Sequence, residues 1–295
     1  MPRIQTDLIT TTIESTKINV IAITFSEYTQ DAVDLFLSIL GLSLNLSIVI
    51  LVALNSCLRV STSCYAISLV GSNLVILIEP TRRILRSIFQ LNLPVNLDYV
   101  FHVSFYSSVL TIVMFSIENY IAACDRHASL YKSYVIVSKT LRKLIIVWSV
   151  SVLITAMELH LYEHFEKEDL HEIYAASTIM FLVLPFFTLL LLHCAIFYEL
   201  LLLKSIEGKW RQREFDNFRL SFGLTIAFLF TMVPYRIAKV VMALNPKATW
   251  CCSAKQMEIL YILIKIFPIA CPAVCYSAYD KFRKVLEDTI RRRCH

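Results

Sequence analysis

The sequence predicts an all-α membrane protein, a seven-transmembrane helix bundle followed by a short amphipathic surface helix. Three observations carry that expectation. The apolar fraction of 57% exceeds the roughly 45–50% of soluble domains, and the charged fraction of 17% falls below their ~25%. Mean hydropathy is +0.63. The apolar residues are gathered in runs of membrane-spanning length. Tyr99 to Ile117, for example, is 19 residues without Asp, Glu, Lys or Arg, roughly 28 Å as helix and close to the thickness of a bilayer core. Lysine and arginine sit in short segments between the runs. That is the membrane pattern, and it turns a net charge of +5 away from nucleic acid as a partner.

Residues 1–32 are Thr- and Ile-rich and read as a short extracellular tail. The bundle occupies residues 33–279. Span 1 is Leu35 to Leu54, 20 uncharged residues with Asn45 inside. Span 2, Tyr65 to Ile88, is broken by Glu79, Arg82, Arg83 and Arg86. Span 3 is Leu97 to Cys124. Span 4 is short, Leu144 to Met157, with Arg142 and Lys143 before it and Glu158 after; it carries Trp148, and an acidic loop (Glu163 to Glu172) follows. Span 5, Ile173 to Tyr198, has no formal charge and contains Pro185, which bends it. Span 6 is Phe218 to Leu244, and span 7 is Met257 to Ala278. In residues 280–295, Phe282, Val285, Leu286 and Ile290 follow helical spacing with basic residues between them, as a helix lying on membrane lipid requires. Cys294 either carries an acyl chain or stays unmodified.

Other chemistry finds little support. There is no Ser/His/Asp set, HExxH or Gly-rich phosphate loop, so neither catalysis nor a cofactor is expected. The nine cysteines lie mostly in or beside apolar runs without paired CxxC spacing, so no metal site is expected. His193, alone on an apolar helix, reads as a core residue. The first 30 residues lack a basic start followed by an apolar segment, which leaves targeting to the first span.

The end of span 3, Ser116-Ile117-Glu118-Asn119-Tyr120-Ile121-Ala122-Ala123-Cys124, resembles the Asp/Glu-Arg-Tyr-x-Ala-x-Cys motif of rhodopsin-like (class A) G-protein-coupled receptors. Glu118, Tyr120, Ala122 and Cys124 match; Asn119 stands where the family has arginine. Further landmarks follow in order. Asn45 matches the first-helix asparagine, and Asn73 replaces the second-helix aspartate that helps bind sodium. Trp148 and Pro185 match the fourth-helix tryptophan and the fifth-helix proline. Phe228-x-x-Thr231-Met232-Val233-Pro234-Tyr235 resembles Phe-x-x-Cys-Trp-x-Pro-Tyr, Pro272 is the proline of Asn-Pro-x-x-Tyr, and Asp280 to Arg283 resembles the start of the eighth helix. The family's disulfide from helix 3 is missing: Pro94 stands at the outer end of span 3, and the loop from Glu158 to Glu172 has no cysteine. Cys251 and Cys252 have no obvious outside partner. The resemblance implies a plasma-membrane receptor with an extracellular N-terminus. Such a receptor binds an extracellular peptide or small molecule and signals to a heterotrimeric G protein through Glu118, Asn119 and Tyr120.

Charge supports that orientation. With the N-terminus outside, 17 of the 28 basic residues fall in inside segments, although Arg82, Arg83 and Arg86 run against the rule. Buried charges point to a site, since each costs at least roughly 2.5–3.5 kcal/mol at mid-membrane unless it meets a cavity or a partner. Glu79 lies roughly 21 Å into span 2 from the inside, and Arg236 and Lys265 lie roughly 12 Å inside the outer ends of spans 6 and 7. These three are expected at one depth, in a ligand pocket with Met232 and Tyr235. A purely local arrangement instead pairs Glu79 with Arg83 and lets Lys239 snorkel outward. Lys265, seven residues before Pro272, also has the spacing of the retinal-bearing lysine of opsins, but Met232 replaces the tryptophan found near retinal. The sequence also admits a non-coupling decoy or regulatory receptor of the same fold, and a transporter or channel, for which no internal repeat is visible. Asparagine at 119 is short and neutral and deprives Glu118 of its family partner, so coupling is expected to be weak. The register Asp125-Arg126-His127 discards the matches at Tyr120, Ala122 and Cys124 and leaves Arg126 as a loop cation.

Overall fold

In the computed structural model every apolar run is a helix, and the structure describes residues 3–91, 97–124, 137–164, 175–244 and 252–293. The helices are α1 (Arg3–Leu54), α2 (Ser61–Phe89), α3 (Leu97–Cys124) and α4 (Val137–His164). Then come α5 (Ala175–Glu207), α6 (Gln212–Thr231), α7 (Val233–Leu244), α8 (Ala254–Ala278) and α9 (Asp280–Arg293). Seven stretches of 23 to 33 residues are long and apolar enough to cross a membrane, α6 and α7 together making the sixth. Even the shortest reaches about 34 Å, against a hydrocarbon core of about 30 Å. The chain is thus an all-α, multi-pass membrane protein, with no strand among the described residues. We call the end where the first span starts the upper end.

Two boundaries differ from expectation. Helix α1 begins at Arg3, across the stretch read as a tail, with Thr29–Leu54 as its spanning part. Helix α4 has 28 residues. Arg142, Lys143 and Glu158 lie inside it rather than flanking it, because 14 residues span only about 21 Å.

The burial pattern is that of a membrane bundle. Asn45, Ser72, Asn73, Ser116, Thr155 and Ser221 are buried, whereas Phe36, Ile39, Leu42, Ile145, Leu153 and Leu191 are exposed. Each of these buried polar residues makes a hydrogen bond inside, and the apolar belt faces outward. Helix α3 packs against α2, α4, α5 and α6, while α1 packs on α2 and α8. Close approaches need small residues: a Cβ on Gly71 would stand 3.0 Å from the Trp148 ring, whose Nε1 donates to Ser68 Oγ at 3.0 Å.

Prolines set the bends. Pro234 has no N–H and crowds the carbonyl four residues back, and the sixth span breaks at Met232 between α6 and α7. Pro185 follows a π-helical turn, Ile179–Val183, in α5. Pro272 in α8 leaves the Pro268 carbonyl without its helical donor. Asn45 supplies one from α1: its Nδ2 donates to Pro268 O at 2.6 Å and to Gly41 O at 2.7 Å, and its Oδ1 accepts from Asn73 Nδ2 at 2.8 Å. One asparagine thereby ties α1, α2 and α8. Below it, Phe282 of α9 is fully buried against Tyr276 and Tyr279, and Val285 and Leu286 pack on the same core. Lys281, Arg283 and Lys284 stay exposed, the amphipathic arrangement expected of a surface helix.

Candidate functional site: a charged cavity at the upper end

Among the described residues, the upper half of the bundle holds two separate charge clusters. The first joins α1, α2 and α8. Lys265 Nζ lies 2.6 Å from Asp34 Oδ1 and 3.4 Å from Glu79 Oε2. Arg83 completes a quartet, with Nε 3.3 Å from Asp34 Oδ2 and Nη2 3.3 Å from Glu79 Oε1. Two carboxylates face two cations, so the set is neutral. Asp34, Glu79 and Lys265 are all at least 96% buried, while Arg83 reaches partly outward. Tyr261 lies under the ammonium, its ring centre 4.5 Å from Nζ.

Three of the quartet, Asp34, Arg83 and Lys265, form the floor of a cavity of about 620 Å³ between α1, α2, α7 and α8, within the usual 300–1,000 Å³ of ligand sites. Thr29 and Glu258 at its rim are exposed, and Tyr235, Tyr261 and Lys239 form its wall. Gln30 of α1 donates to Glu258 of α8 across the mouth. Beside the floor a cavity of about 20 Å³, touching Glu79 and Lys265, has room for one water molecule.

The second cluster joins α3, α4, α5 and α7 around Arg236, which is 1% exposed. Its Nη2 donates to Glu158 Oε1 at 2.7 Å and to Ser177 Oγ at 2.5 Å, and its Nη1 meets His102 Nε2 at 2.6 Å. Ser177 donates its own proton to Glu158 Oε1 at 2.8 Å, and Tyr106 donates to Oε2. His102 Nδ1 lies 2.6 Å from the Asp98 carbonyl, which only accepts. Nδ1 therefore carries the proton, and Nε2 is the bare acceptor that a guanidinium needs. Both oxygens of the Glu158 carboxylate are thus occupied.

The expected site is accordingly divided. Glu79 and Lys265 meet, and Tyr235 stands on the cavity wall. Arg236 does not join them, because its guanidinium turns between α3 and α4. Met232 is buried in the core at the helix break rather than in the cavity wall. Both local expectations also hold: Glu79 pairs with Arg83, and Lys239 reaches Asp98 at the surface, 3.5 Å away. Asp34 and Glu158 complete the two clusters and were not among the expected site residues. The signal for Glu158 is the length of span 4, which at 14 residues is too short to keep its flanking charges outside a bilayer.

At the lower end Glu118 is not left alone. It accepts from Ser61 and from Tyr65 OH (2.8 Å) of α2, and Lys143 of α4 lies 3.4 Å away. Asn119 is 5% exposed, and its Nδ2 donates to Asn217 O of α6 at 3.2 Å. Thr62 adds a bond to Asn217 Oδ1 at 3.2 Å, while Tyr120 is exposed at 37%. His193 bonds Leu189 O at 2.6 Å and Ser221 Oγ at 3.0 Å, a satisfied core histidine as expected. Phe228 packs between Phe105 and Phe267 in the core, tilted against the first ring and edge-on to the second.

Cys252 is disulfide-bonded. The expectations at Pro94, Arg126, Cys251, Cys294 and the acidic loop fall outside the described residues or side chains. No group of His, Cys, Asp and Glu suited to a metal ion occurs among the described residues. No protein-family model matches the chain, and no curated protein matches it.

Proposed function

We propose that this protein is a plasma-membrane receptor of the rhodopsin-like kind. Its upper end is extracellular and binds a peptide or small molecule, and its lower end contacts a heterotrimeric G protein. The observation that carries this reading is the cavity at the upper end, floored by three members of a neutral quartet that links three helices. Two facts support the orientation. In the sequence, 17 of the 28 basic residues fall in segments that this orientation puts inside. Cys252, at the start of α8 on the upper side, is disulfide-bonded, which suits an oxidising compartment.

A ligand in the cavity acts by binding one helix arrangement better than another. Asp34 and Lys265 couple α1 to α8 at its level, and Lys265 lies one turn above Pro268, where Asn45 holds α1 to α8. A contact that changes the Asp34–Lys265 pair therefore acts directly on the Pro268–Pro272 segment.

One observation favours a second reading, the same bundle without coupling. Asn119 is neutral, and Glu118 is already engaged by Tyr65 and Lys143. Nucleotide exchange on a G-protein panel, catalysed by the purified full-length protein in lipid nanodiscs, separates the two. We expect exchange above that of empty discs, suppressed by Val33→Trp, which fills the cavity. Exchange equal to that of empty discs across the whole panel would leave the decoy reading standing.

A further inference from the structure

We propose, resting on the cavity reading above, that its ligand carries a protonated amine and that this group is seated on Asp34. Hydrogen-bond supply inside the cavity is the reason. The cations of the floor are already held by carboxylates: Lys265 by Asp34 and Glu79, and Arg83 by the same two. The acceptors are not all used. Asp34 is 98% buried and lines the cavity, and its Oδ2 accepts no hydrogen bond. Arg83 Nε stands 3.3 Å from that oxygen without donating to it. Glu79 Oε2 also accepts none, but it borders the cavity sized for one water. Asp34 instead borders a space of about 620 Å³.

A buried carboxylate oxygen without a donor is costly, and a donor that also carries positive charge gains most there. An ammonium supplies three N–H donors and no acceptor. The surroundings suit it: Tyr261 and Tyr235 present aromatic walls, and exposed Glu258 adds negative charge at the rim. At the floor, beside Asp34, a carboxylate ligand would have to displace an existing partner from Lys265 or Arg83. Two sources share the favoured chemistry, a simple amine and the amino group of an amino acid or peptide. Lys239 on the wall, whose pair with Asp98 at the surface is weak, would receive the carboxylate of an amino acid.

The test uses full-length Met257→Cys protein in lipid nanodiscs, with the new thiol in the cavity wall. Its modification is followed by mass spectrometry with three methanethiosulfonates: aminoethyl (ammonium), methyl (neutral) and sulfonatoethyl (anionic). Rates are divided by those with a free thiol in solution. We expect the ammonium reagent to lead the neutral one by about tenfold, the size of one favourable unit-charge contact at about 4 Å screened nearly as well as in bulk water. Asp34→Asn should abolish that lead. A second measurement leaves Asp34 intact: phenylethylamine should protect Cys at this position from the neutral reagent, and phenylpropionate should not. Protection by phenylalanine as well as phenylethylamine assigns the amino acid or peptide source, and protection by phenylethylamine alone assigns a simple amine. An anionic lead, or protection by phenylpropionate, overturns the amine while leaving the cavity in place. No modification by any reagent removes the cavity reading itself.

Discussion

The two buried charge clusters of the upper half contain the same chemistry and have opposite accounts. Around Arg236 a guanidinium, a carboxylate, a neutral imidazole and two hydroxyls form a closed set from four helices, with both carboxylate oxygens occupied. Around Lys265 two carboxylates and two cations balance in charge but not in hydrogen bonds, and they border open space. A closed set has nothing left to offer a ligand and serves to fix α3, α4, α5 and α7. An incomplete set beside a cavity costs stability, and such a cost is what binding sites characteristically carry. Burial of charge alone does not mark a site; burial with unused bonding capacity and room beside it does.

Breaking the closed set should give the largest effect. Arg236→Met leaves Glu158 charged and buried, which costs about 3–5 kcal/mol. The expected result is a steep loss of folded protein, read as a lower thermal-unfolding midpoint in nanodiscs and reduced surface expression. Arg236→Met combined with Glu158→Gln should recover much of that loss, because no bare charge remains. Normal unfolding of the single variant would show that the carboxylate has another source of compensation.

The open set should respond less. Lys265→Met leaves Asp34 and Glu79 sharing Arg83, but Arg83 is one-third exposed and the cavity admits water, so the penalty should be about 1–3 kcal/mol. Surface expression should persist while ligand response falls. Adding Asp34→Asn to Lys265→Met restores charge balance and should recover folding but not response. Equal losses of folding for Lys265→Met and Arg236→Met would erase the distinction between the clusters.

Much of this architecture was legible in the sequence. Apolar runs of bilayer length fixed the seven spans, and Asn45, Asn73 and Trp148 each bond to a neighbouring helix. Depth was legible too, since 1.5 Å per residue places Glu79 and Lys265 together. Which way a side chain points around its helix was not. Arg236 and Lys265 share a depth, but packing turns one toward α3 and α4 and the other toward α1 and α2. Asp34 escaped notice because it stands one residue before the uncharged run that defines span 1, where a charge reads as a boundary. Glu158 escaped for the same reason. In both cases the helix is longer than its apolar run, and the charge at the edge of the run is the partner of a buried cation.

Asn119 supplies the smallest effect and a calibration without charge. Its single bond to Asn217 O joins α3 to α6 at 3.2 Å. An interhelical hydrogen bond of this kind averages about 0.6 kcal/mol in a membrane bundle. Asn119→Ala should therefore shift unfolding only slightly, far less than either charge variant, because the Asn217 carbonyl remains part of its helix. The consequence for motion is larger in proportion. If α6 must move away from α3 for a G protein to enter, removing about 0.6 kcal/mol from the closed arrangement raises the open population nearly threefold. Basal nucleotide exchange should rise by about that factor. Asn119→Arg provides the matching gain. Its guanidinium would compete with Lys143 for the Glu118 carboxylate, and it carries five N–H donors on a longer arm against the two of the asparagine amide. We expect it to raise ligand-stimulated exchange above wild type. Exchange unchanged by Asn119→Ala and Asn119→Arg, with unfolding shifted by Asn119→Ala as above, would make this contact a structural link like the Arg236 cluster and place the coupling surface elsewhere on the lower end.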